Sequence, residues 1–430
     1  MKQVRILIFP CGSEVGLELH HSLKDVPFIT LIGASSVPDH GKYVFEHYFE
    51  GLPFVRDPQF IVQFNKLLQE QHIDFIYPAM DEVLDVLSAH REQLAAPLIA
   101  PCHKAVHICR NKSRTYMQLN GLYFVPKTYA SPEQVTHFPV IIKPEEGYGT
   151  KDFYILHTKE ALHQKWIERQ TANVICEYLP GEEYTVDCFT DRHGTLKYTS
   201  CRNRNRIRNG ISVNSQLQLP DAKIDQIAQQ ISERVAMRGA WFFQLKRDAN
   251  GDYKLLEVAT RIAGTMCVQR AAGVNLPLLS VFDMMGCDVS ITPQFNAVEV
   301  DRALYSTYQL PIEFDEVYLD FDDTVIVRNK INLTLMRYLY QCVNKNVSIK
   351  LLTKHNSDIK STLKRYKIAI ELFDEIIHIN HSQRKCDFIQ PGEKALFIDD
   401  SFSERLQMQK AHGIISLGVD AVEALLDYRQ

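Results

Sequence analysis

Pro139-Val140-Ile141-Ile142-Lys143-Pro144 is an apolar strand with a single lysine, and it runs directly into Glu145-Glu146-Gly147-Tyr148-Gly149-Thr150-Lys151. A lysine held on a rigid strand beside a glycine-spaced loop suits a triphosphate, because the ammonium neutralises charge while loop N–H groups fold over the phosphate oxygens. Taken singly, such a lysine is usually a solvated surface group, so the reading depends on the sequence around it. Downstream, Val174-Ile175-Cys176-Glu177-Tyr178-Leu179-Pro180-Gly181-Glu182-Glu183 is a strand whose edge ends in acids, acceptors for the amine and hydroxyl donors of a nucleoside. Phe243-Gln244-Leu245 and Leu255-Leu256-Glu257-Val258 are two further apolar strands, separated by Asp248-Ala249-Asn250-Gly251-Asp252. That turn predicts a hairpin which sets Gln244 beside Glu257.

Upstream, short apolar runs at Ile6–Phe9, Phe28–Ile32 and Phe75–Tyr77 alternate with amphipathic stretches, the rhythm of a parallel α/β sheet. Cys11-Gly12-Ser13-Glu14-Val15-Gly16 follows the first run as a glycine turn opening a helix. The third glycine and the ribose-binding acid of a dinucleotide site are missing, so the turn is read as structural. From about residue 111 to 295 strands lengthen and alternate, with a helix predicted over Asp225–Met237. After Pro311 a third α/β pattern begins, with strands at Glu316–Asp320, Ile349–Leu352 and Ala395–Ile398.

The whole chain has 430 residues, 45% hydrophobic and 23% charged, which excludes a disordered or collagen-like polymer and leaves room for about three domains. A formal net charge of -4 lacks the basic excess of a protein held by nucleic-acid phosphates, so nucleic acid is not an expected partner. The apolar run before Pro10 is too short for a signal peptide, and charges interrupt every stretch long enough to span a membrane. Ten cysteines without a CxxC pair or zinc spacing predict reduced thiols and a cytoplasmic location.

The order Lys112, Lys143, glycine loop, Glu177, Glu183, Gln244, Glu257, Arg261 resembles the ATP-grasp superfamily, in its carbamoyl-phosphate-synthetase-like branch of carboxylate-amine ligases. The resemblance covers about residues 1–295 and implies ATP and Mg2+ as cofactors. It implies that Lys112 and Lys143 bind phosphates, with Gly147, Gly149 and Thr150 in the phosphate loop. Glu177, Tyr178 and Leu179 correspond to the adenine-binding hinge and Glu183 to the ribose-binding acid. Gln244 and Glu257 correspond to metal ligands, and Arg261 to the arginine that stabilises the transferred phosphoryl group. Ala259 stands where the family usually has a metal-ligating asparagine, so one magnesium is expected to be held less tightly. Arg202, Arg204, Arg206 and Arg208 alternate along the chain; on one strand, period two puts all four on one face. They fall where the family lines its cleft, so they are expected to hold an anionic acceptor substrate or nucleotide phosphates.

Val317-Tyr318-Leu319-Asp320-Phe321-Asp322-Asp323-Thr324 ends a strand in acids two apart, a nucleophile and a proton donor for phosphoryl transfer through an aspartyl phosphate. With Thr353, Lys385 and Asp399-Asp400 following in order, residues 314–430 resemble the haloacid dehalogenase superfamily of magnesium phosphohydrolases. The resemblance makes Asp320 the nucleophile and Asp322 the general acid/base. Thr353 and Lys385 hold the phosphoryl group, and Asp320, Asp322 (through its carbonyl) and Asp400 bind magnesium, with Glu404 in support. The stretches Val325–Leu352 and Lys354–Arg384 leave room for single helices and short strands, not for a cap domain.

The expected architecture is therefore multidomain, α/β and α+β: a pre-ATP-grasp α/β domain at 1–105, an ATP-grasp fold at 106–300, and a Rossmann-like haloacid dehalogenase domain at 312–430. The expected function is amide or peptide-type ligation of a small carboxylate to an amine through an acyl phosphate, with a fused phosphatase acting on a phosphorylated substrate or product. A carboxy- or carbamoyl-phosphate-forming enzyme and an ATP-binding regulatory or polyanion-binding protein are the alternatives. A homodimer is expected by analogy alone.

Overall fold

The computed structural model describes residues 2–147, 152–169, 172–208, 210–295, 297–390 and 394–429. Gly149 and Thr150 of the predicted phosphate loop, with Lys151, lie outside the described residues. The chain divides into two compact units, Met1–Leu304 and Tyr305–Gln430.

The first unit begins with a parallel sheet in the order His47–Phe49, Ile29–Ala34, Val4–Phe9, Phe75–Pro78. Ile6, Leu7 and Ile8 are all fully buried, the continuous apolar run of a strand covered on both faces. The glycine turn after it is structural. Asp39 fills the turn: its carboxylate accepts the N–H of Gly12 at 3.1 Å, the N–H of Gly41 at 2.9 Å and the hydroxyl of Ser35 at 2.5 Å. Ser13 then caps the helix Glu14–Leu23 by accepting the N–H of Gly16 at 3.0 Å.

Two four-stranded antiparallel sheets follow, with a three-stranded one in the order Arg206–Arg208, Ile211–Gln216, Glu299–Asp301. In the smaller, ordered Thr128–Tyr129, Asn173–Glu177, Val140–Pro144, Tyr154–Leu156, the side chains of Val140 and Ile142 enter a core with Leu156 and Leu162. Alternation therefore turns Lys143 to the opposite face. The larger sheet runs Leu196–Asn203, Glu183–Thr190, Gly239–Arg247, Tyr253–Ala259, and its apolar side packs on the helix Ala222–Val235 around Trp241 and Phe243. That helix begins three residues before the predicted start, because the Asp221 carboxylate caps it by accepting the Lys223 N–H at 2.8 Å.

The predicted hairpin is present: Asp248 accepts the N–H groups of Asn250 and Asp252, Gly251 sits at φ 83°, and Gln244 faces Glu257 across the strands. The arginine run differs from expectation. The strand ends at Asn203, and a separate three-residue strand, Arg206–Arg208, pairs with Ile211–Gln216. The chain breaks at Arg204 because its guanidinium turns inward to Glu183, Gln244 and the Gly210 carbonyl, so the four arginines share no face.

The second unit is built on a parallel sheet in the order Glu375–His378, Ser348–Thr353, Glu316–Leu319, Ala395–Ile398, Ile415–Leu417. Because the strands are parallel, the three central ones end at the same edge, and Asp320, Thr353 and Asp399 stand at their tips. After Asp320 the chain makes a two-stranded hairpin, Ile326–Val327 with Lys330–Ile331, whose turn residues Arg328 and Asn329 both have positive φ (49° and 57°). Helix Leu333–Asn344 then returns to the sheet, and helix Ile359–Arg365 follows the next strand, so no extra domain is inserted among the described residues. All ten cysteines are free thiols, and among the described residues no helix is long and apolar enough to cross a membrane.

Candidate functional site

The first unit contains a cavity of about 490 Å³ whose walls include Asp81, Arg204, Gln244, Glu257 and Arg261. A smaller one of about 50 Å³ adjoins it through Asp81, Arg110, Glu257 and Arg261 and adds Lys112 and Gly147. Glu257 and Gln244 reach the wall because the hairpin pairs them. Lys143 approaches from the smaller sheet: its Nζ donates to the Tyr116 hydroxyl at 3.0 Å and to the Leu256 carbonyl at 3.4 Å, and Tyr116 donates to the same carbonyl at 2.7 Å. Burial pushes the Tyr116 phenol up to about 12, so it serves as a neutral hydroxyl that aims the lysine. Lys112, at the start of helix Lys112–Gln118, donates to the Gly147 carbonyl at 3.5 Å. Burial pushes its pKa down, with Lys143 and Arg110 adding repulsion against the pull of Glu257.

Arg261 forms a two-pronged ion pair with Asp81, at 2.8 and 2.6 Å, from the first turn of helix Asp81–Ala89. Against burial, which opposes ionisation, Arg261 holds the Asp81 carboxyl below its ordinary value. Glu183 binds Arg204 at 2.9 Å and Lys246 at 3.2 Å, and Arg204 also donates to the Gln244 side chain at 3.1 Å. Among the described residues the Nε of Arg204 is buried without a hydrogen-bond partner. Around these cavities the bases Arg110, Lys112, Lys143, Arg202, Arg204 and Arg261 stand against the acids Glu14, Asp81, Glu82, Glu183 and Glu257, and the lysines and arginines gathered beside Glu257 fit a polyphosphate. The paired oxygen donors Gln244 and Glu257 fit a magnesium ion that draws its other ligands from phosphate and water.

Of the predicted residues, Glu177, Tyr178, Leu179, Glu183 and Lys143 are not among those lining these cavities. Glu177 ends the strand Asn173–Glu177 on the sheet that carries Lys143, and its carboxylate accepts the Lys127 N–H at 2.8 Å; Tyr178 and Leu179 follow it. Of the arginines, Arg202 borders the larger cavity but is 1% exposed and held to Asp187 at 2.7 Å, with Thr265 and Ser215 as further partners. Arg206 pairs with Asp301 and is exposed, as is Arg208. Only Arg204 combines a place on the cavity wall with an unsatisfied donor. Tyr116, Asp81 and Arg110 were not anticipated. Asp81 alone carried a signal, an acid in the first turn of a helix that follows a strand.

In the second unit Lys385 Nζ lies 2.7 Å from Asp320 and 2.5 Å from Asp399. Burial raises both carboxyls, Asp320 to about 6, against the attraction of Lys385. Asp320, Asp399 and Asp400 bring one oxygen each within 4.8 Å of one another. Three acids facing one lysine leave a net charge that fits a divalent, oxygen-seeking cation. The side chain of Asp322 is outside this group; it meets His355 Nδ1 at 3.0 and 2.9 Å. Thr353 is fully buried at its strand end and accepts the His355 N–H at 3.2 Å. Glu404 pairs with Lys354 at 2.6 Å. Asp399 and His355 extend the predicted set; the acidic doublet after the strand was the signal for Asp399.

Residues 169–303 match a family described as ATP-grasp in the biosynthetic pathway with Ter operon. The match ends before the second unit begins at Tyr305. D-alanine–D-alanine ligase of Fusobacterium nucleatum is 29% identical over 104 residues, 24% of this chain, which spans only 34% of that ligase's length. Among solved structures, the biotin carboxylase domain of 2-oxoglutarate carboxylase from Hydrogenobacter thermophilus, solved with MgADP and bicarbonate, superposes with a TM-score of 0.57 at 13% identity, covering 68% of this chain and 72% of that one. N5-carboxyaminoimidazole synthetase from Staphylococcus aureus gives 0.56 at 16%, covering 68% and 81%. The hairpin that pairs Gln244 with Glu257 and the lysine-bearing sheet beside it are thus parts of an ATP-grasp fold, set in a mixed α/β, multidomain chain.

Proposed function

We propose that the unit Met1–Leu304 is an ATP-dependent carboxylate-amine ligase. The observation that carries this reading is the cavity wall on which Gln244, Glu257, Arg204 and Arg261 converge, with Lys112 and Lys143 beside Glu257. A carboxylate oxygen of the substrate bonds to the γ-phosphorus of ATP as the bond to the bridging oxygen breaks, giving an acyl phosphate and ADP. An amine nitrogen then attacks the acyl carbon, loses a proton, and displaces phosphate. Lys112 and Lys143, with Gly147, Gly149 and Thr150, hold the phosphates; Glu183 takes the ribose and Glu177, Tyr178 and Leu179 the adenine. Arg261 stabilises the transferred group once it exchanges Asp81 for it, and Arg204 orients the carboxylate. Gln244 and Glu257 would hold magnesium, which would supply neutralisation of phosphate charge during the transfer. With Ala259 where the family usually has asparagine, the hairpin would offer that ion the side chains of Gln244 and Glu257 alone.

The test is ADP release from MgATP with pooled amino acids, amines and small carboxylates, for the native protein and Lys143→Ala. ADP that requires one pool and disappears in Lys143→Ala supports the ligase and begins to name its substrates. ADP formed with bicarbonate and no amine would favour a carboxyphosphate-forming enzyme instead. ATP binding without ADP under any pool would favour a regulatory role. A homodimer belongs to the same proposal, and light scattering of the purified chain tests it.

A specific observation favours a second activity in Tyr305–Gln430: Asp320, at the tip of a central strand, lies 2.7 Å from a buried lysine and beside Asp399 and Asp400. This supports a magnesium-dependent phosphohydrolase of haloacid dehalogenase type, with Asp320 as nucleophile, Asp322 as general acid/base, and Thr353 and Lys385 on the phosphoryl oxygens. Magnesium-dependent phosphate release from phosphomonoesters, lost in Asp320→Asn, is the expected result, and a phosphorylated ligase substrate or product is the expected natural ester.

A further inference from the structure

The carboxylate of Asp322 is 56% exposed, and an exposed aspartate ordinarily samples several staggered rotamers. Here both its oxygens meet one group, His355 Nδ1, at 3.0 and 2.9 Å. His355 is itself fixed on every side. Its Nε2 meets the Thr362 hydroxyl at 3.0 Å, its N–H donates to Thr353 Oγ1 at 3.2 Å, and its carbonyl lies 2.6 Å from His378 Nε2. The Phe321 ring packs edge-on against the imidazole with centroids 5.1 Å apart. Thr362, whose hydroxyl also lies 3.1 Å from the Asp358 carbonyl, holds one ring nitrogen, and the other is left facing Asp322. The imidazole therefore ties the acid to the loop that also carries Thr353, one of the groups expected on the phosphoryl oxygens.

We propose that His355 is a positioning residue for Asp322, restricting that carboxyl group to the orientation in which it hands its proton to the leaving oxygen. The inference rests on the phosphohydrolase reading. In the first half-reaction an Asp320 oxygen bonds to phosphorus as the ester P–O bond breaks. The electron pair stays on the leaving oxygen, which takes the proton of Asp322. In the second, water attacks phosphorus and returns a proton to Asp322, and the Asp320–phosphorus bond breaks to release phosphate. Loss of orientation at Asp322 therefore penalises leaving groups in proportion to their basicity, because only a basic oxygen needs the proton.

The test compares kcat and KM on two esters of like shape, p-nitrophenyl phosphate and phenyl phosphate, whose leaving groups differ in basicity. His355→Ala is expected to lower kcat on phenyl phosphate about tenfold or more and on p-nitrophenyl phosphate less than about threefold, with little change in KM, since general acid catalysis is what is lost. His355→Asn is expected to recover most of the phenyl phosphate rate, because its amide stands where Nδ1 stood and can turn either its N–H or its oxygen to the Asp322 carboxyl group. His355→Gln, whose amide lies one carbon farther out, is not. Equal losses on both esters, or recovery by Gln as good as by Asn, would overturn the positioning role while leaving the phosphohydrolase intact. Failure of the native protein to turn over either ester would overturn the phosphohydrolase reading, and this inference with it.

Discussion

Replacing Arg202 by methionine separates a structural arginine from a substrate-binding one. Arg202 and Asp187 are each 1% exposed, and among the described residues Asp187 has two side-chain partners, Arg202 at 2.7 Å and Gln269 at 3.0 Å. Arg202→Met fills the volume but leaves a buried carboxylate facing one neutral amide. Breaking a buried pair from one side costs about 3–5 kcal/mol, because the remaining charge has neither water nor a counter-ion. With a urea dependence of about 3 kcal/mol per molar for a unit of this size, the unfolding midpoint should fall by roughly 1–1.7 M. The double variant Arg202→Met, Asp187→Leu removes both charges and should recover most of that loss, since an apolar pair of similar volume is often about as stable as the ion pair. The assay is urea unfolding of the full chain followed by tryptophan fluorescence, which reports on buried Trp241 in the larger sheet. An Arg202→Met protein with the native midpoint and a raised KM for the carboxylate would refute the reasoning and restore Arg202 to the substrate.

Gly12→Ala should destabilise the first unit by about 2–3 kcal/mol, the worth of two or three displaced hydrogen bonds, because the new Cβ would lie 2.2 Å from Asp39 Cγ and force that carboxylate off Gly12, Ser35 and Gly41; an unchanged melting temperature would contradict it. His20 is buried, lacks a partner at Nδ1, and has its pKa pushed down to about 4, chiefly by burial. Its neutral form is the folded one, so its contribution is complete above the unfolded value near 6.5 and is lost as pH falls from there towards 4, by up to about 3 kcal/mol. His20→Leu should flatten that part of the stability profile between pH 7 and 4.5, measured as the difference in urea midpoints. Asp399→Asn keeps the shape of the second site but removes one of three acids, and the magnesium concentration for half-maximal phosphate release should rise about 10–100-fold.

Local signals were read well where chemistry and secondary structure share one short stretch. The hairpin over Gly239–Ala259 is announced by Asp248-Ala249-Asn250-Gly251-Asp252, and once the turn is fixed the pairing of Gln244 with Glu257 follows from register. The strand tips of the second unit are equally legible, since Asp320, Thr353 and Asp399 each end an apolar run and parallel pairing brings those ends to one edge. Tyr116 is different. It lies on the helix Lys112–Gln118, and its hydroxyl meets Lys143 and the Leu256 carbonyl only through tertiary packing, so no periodicity or spacing marks it.

The arginine run shows how a correct local rule gives the wrong geometry. Period two holds only while a strand continues, and placing all four arginines on one face assumes a single unbroken strand. In the fold three of the four find different acids: Arg202 takes Asp187, Arg204 takes Glu183, and Arg206 takes Asp301. Those acids lie on other strands, 15 to 95 residues away in sequence, and distant pairing outweighs the local pattern because an unpaired buried guanidinium is costlier than a broken strand. Arg261 extends the same logic to the site. Its partner Asp81 is 180 residues away, and the pair lies on the cavity wall rather than in the core. A charge held by a neighbouring acid at the edge of a cavity can be transferred to an incoming anion at far lower cost than one desolvated alone. For that reason we propose that the Asp81–Arg261 pair serves binding as well as stability, whereas the Asp187–Arg202 pair, 1% exposed on both sides although Arg202 also borders the larger cavity, serves stability.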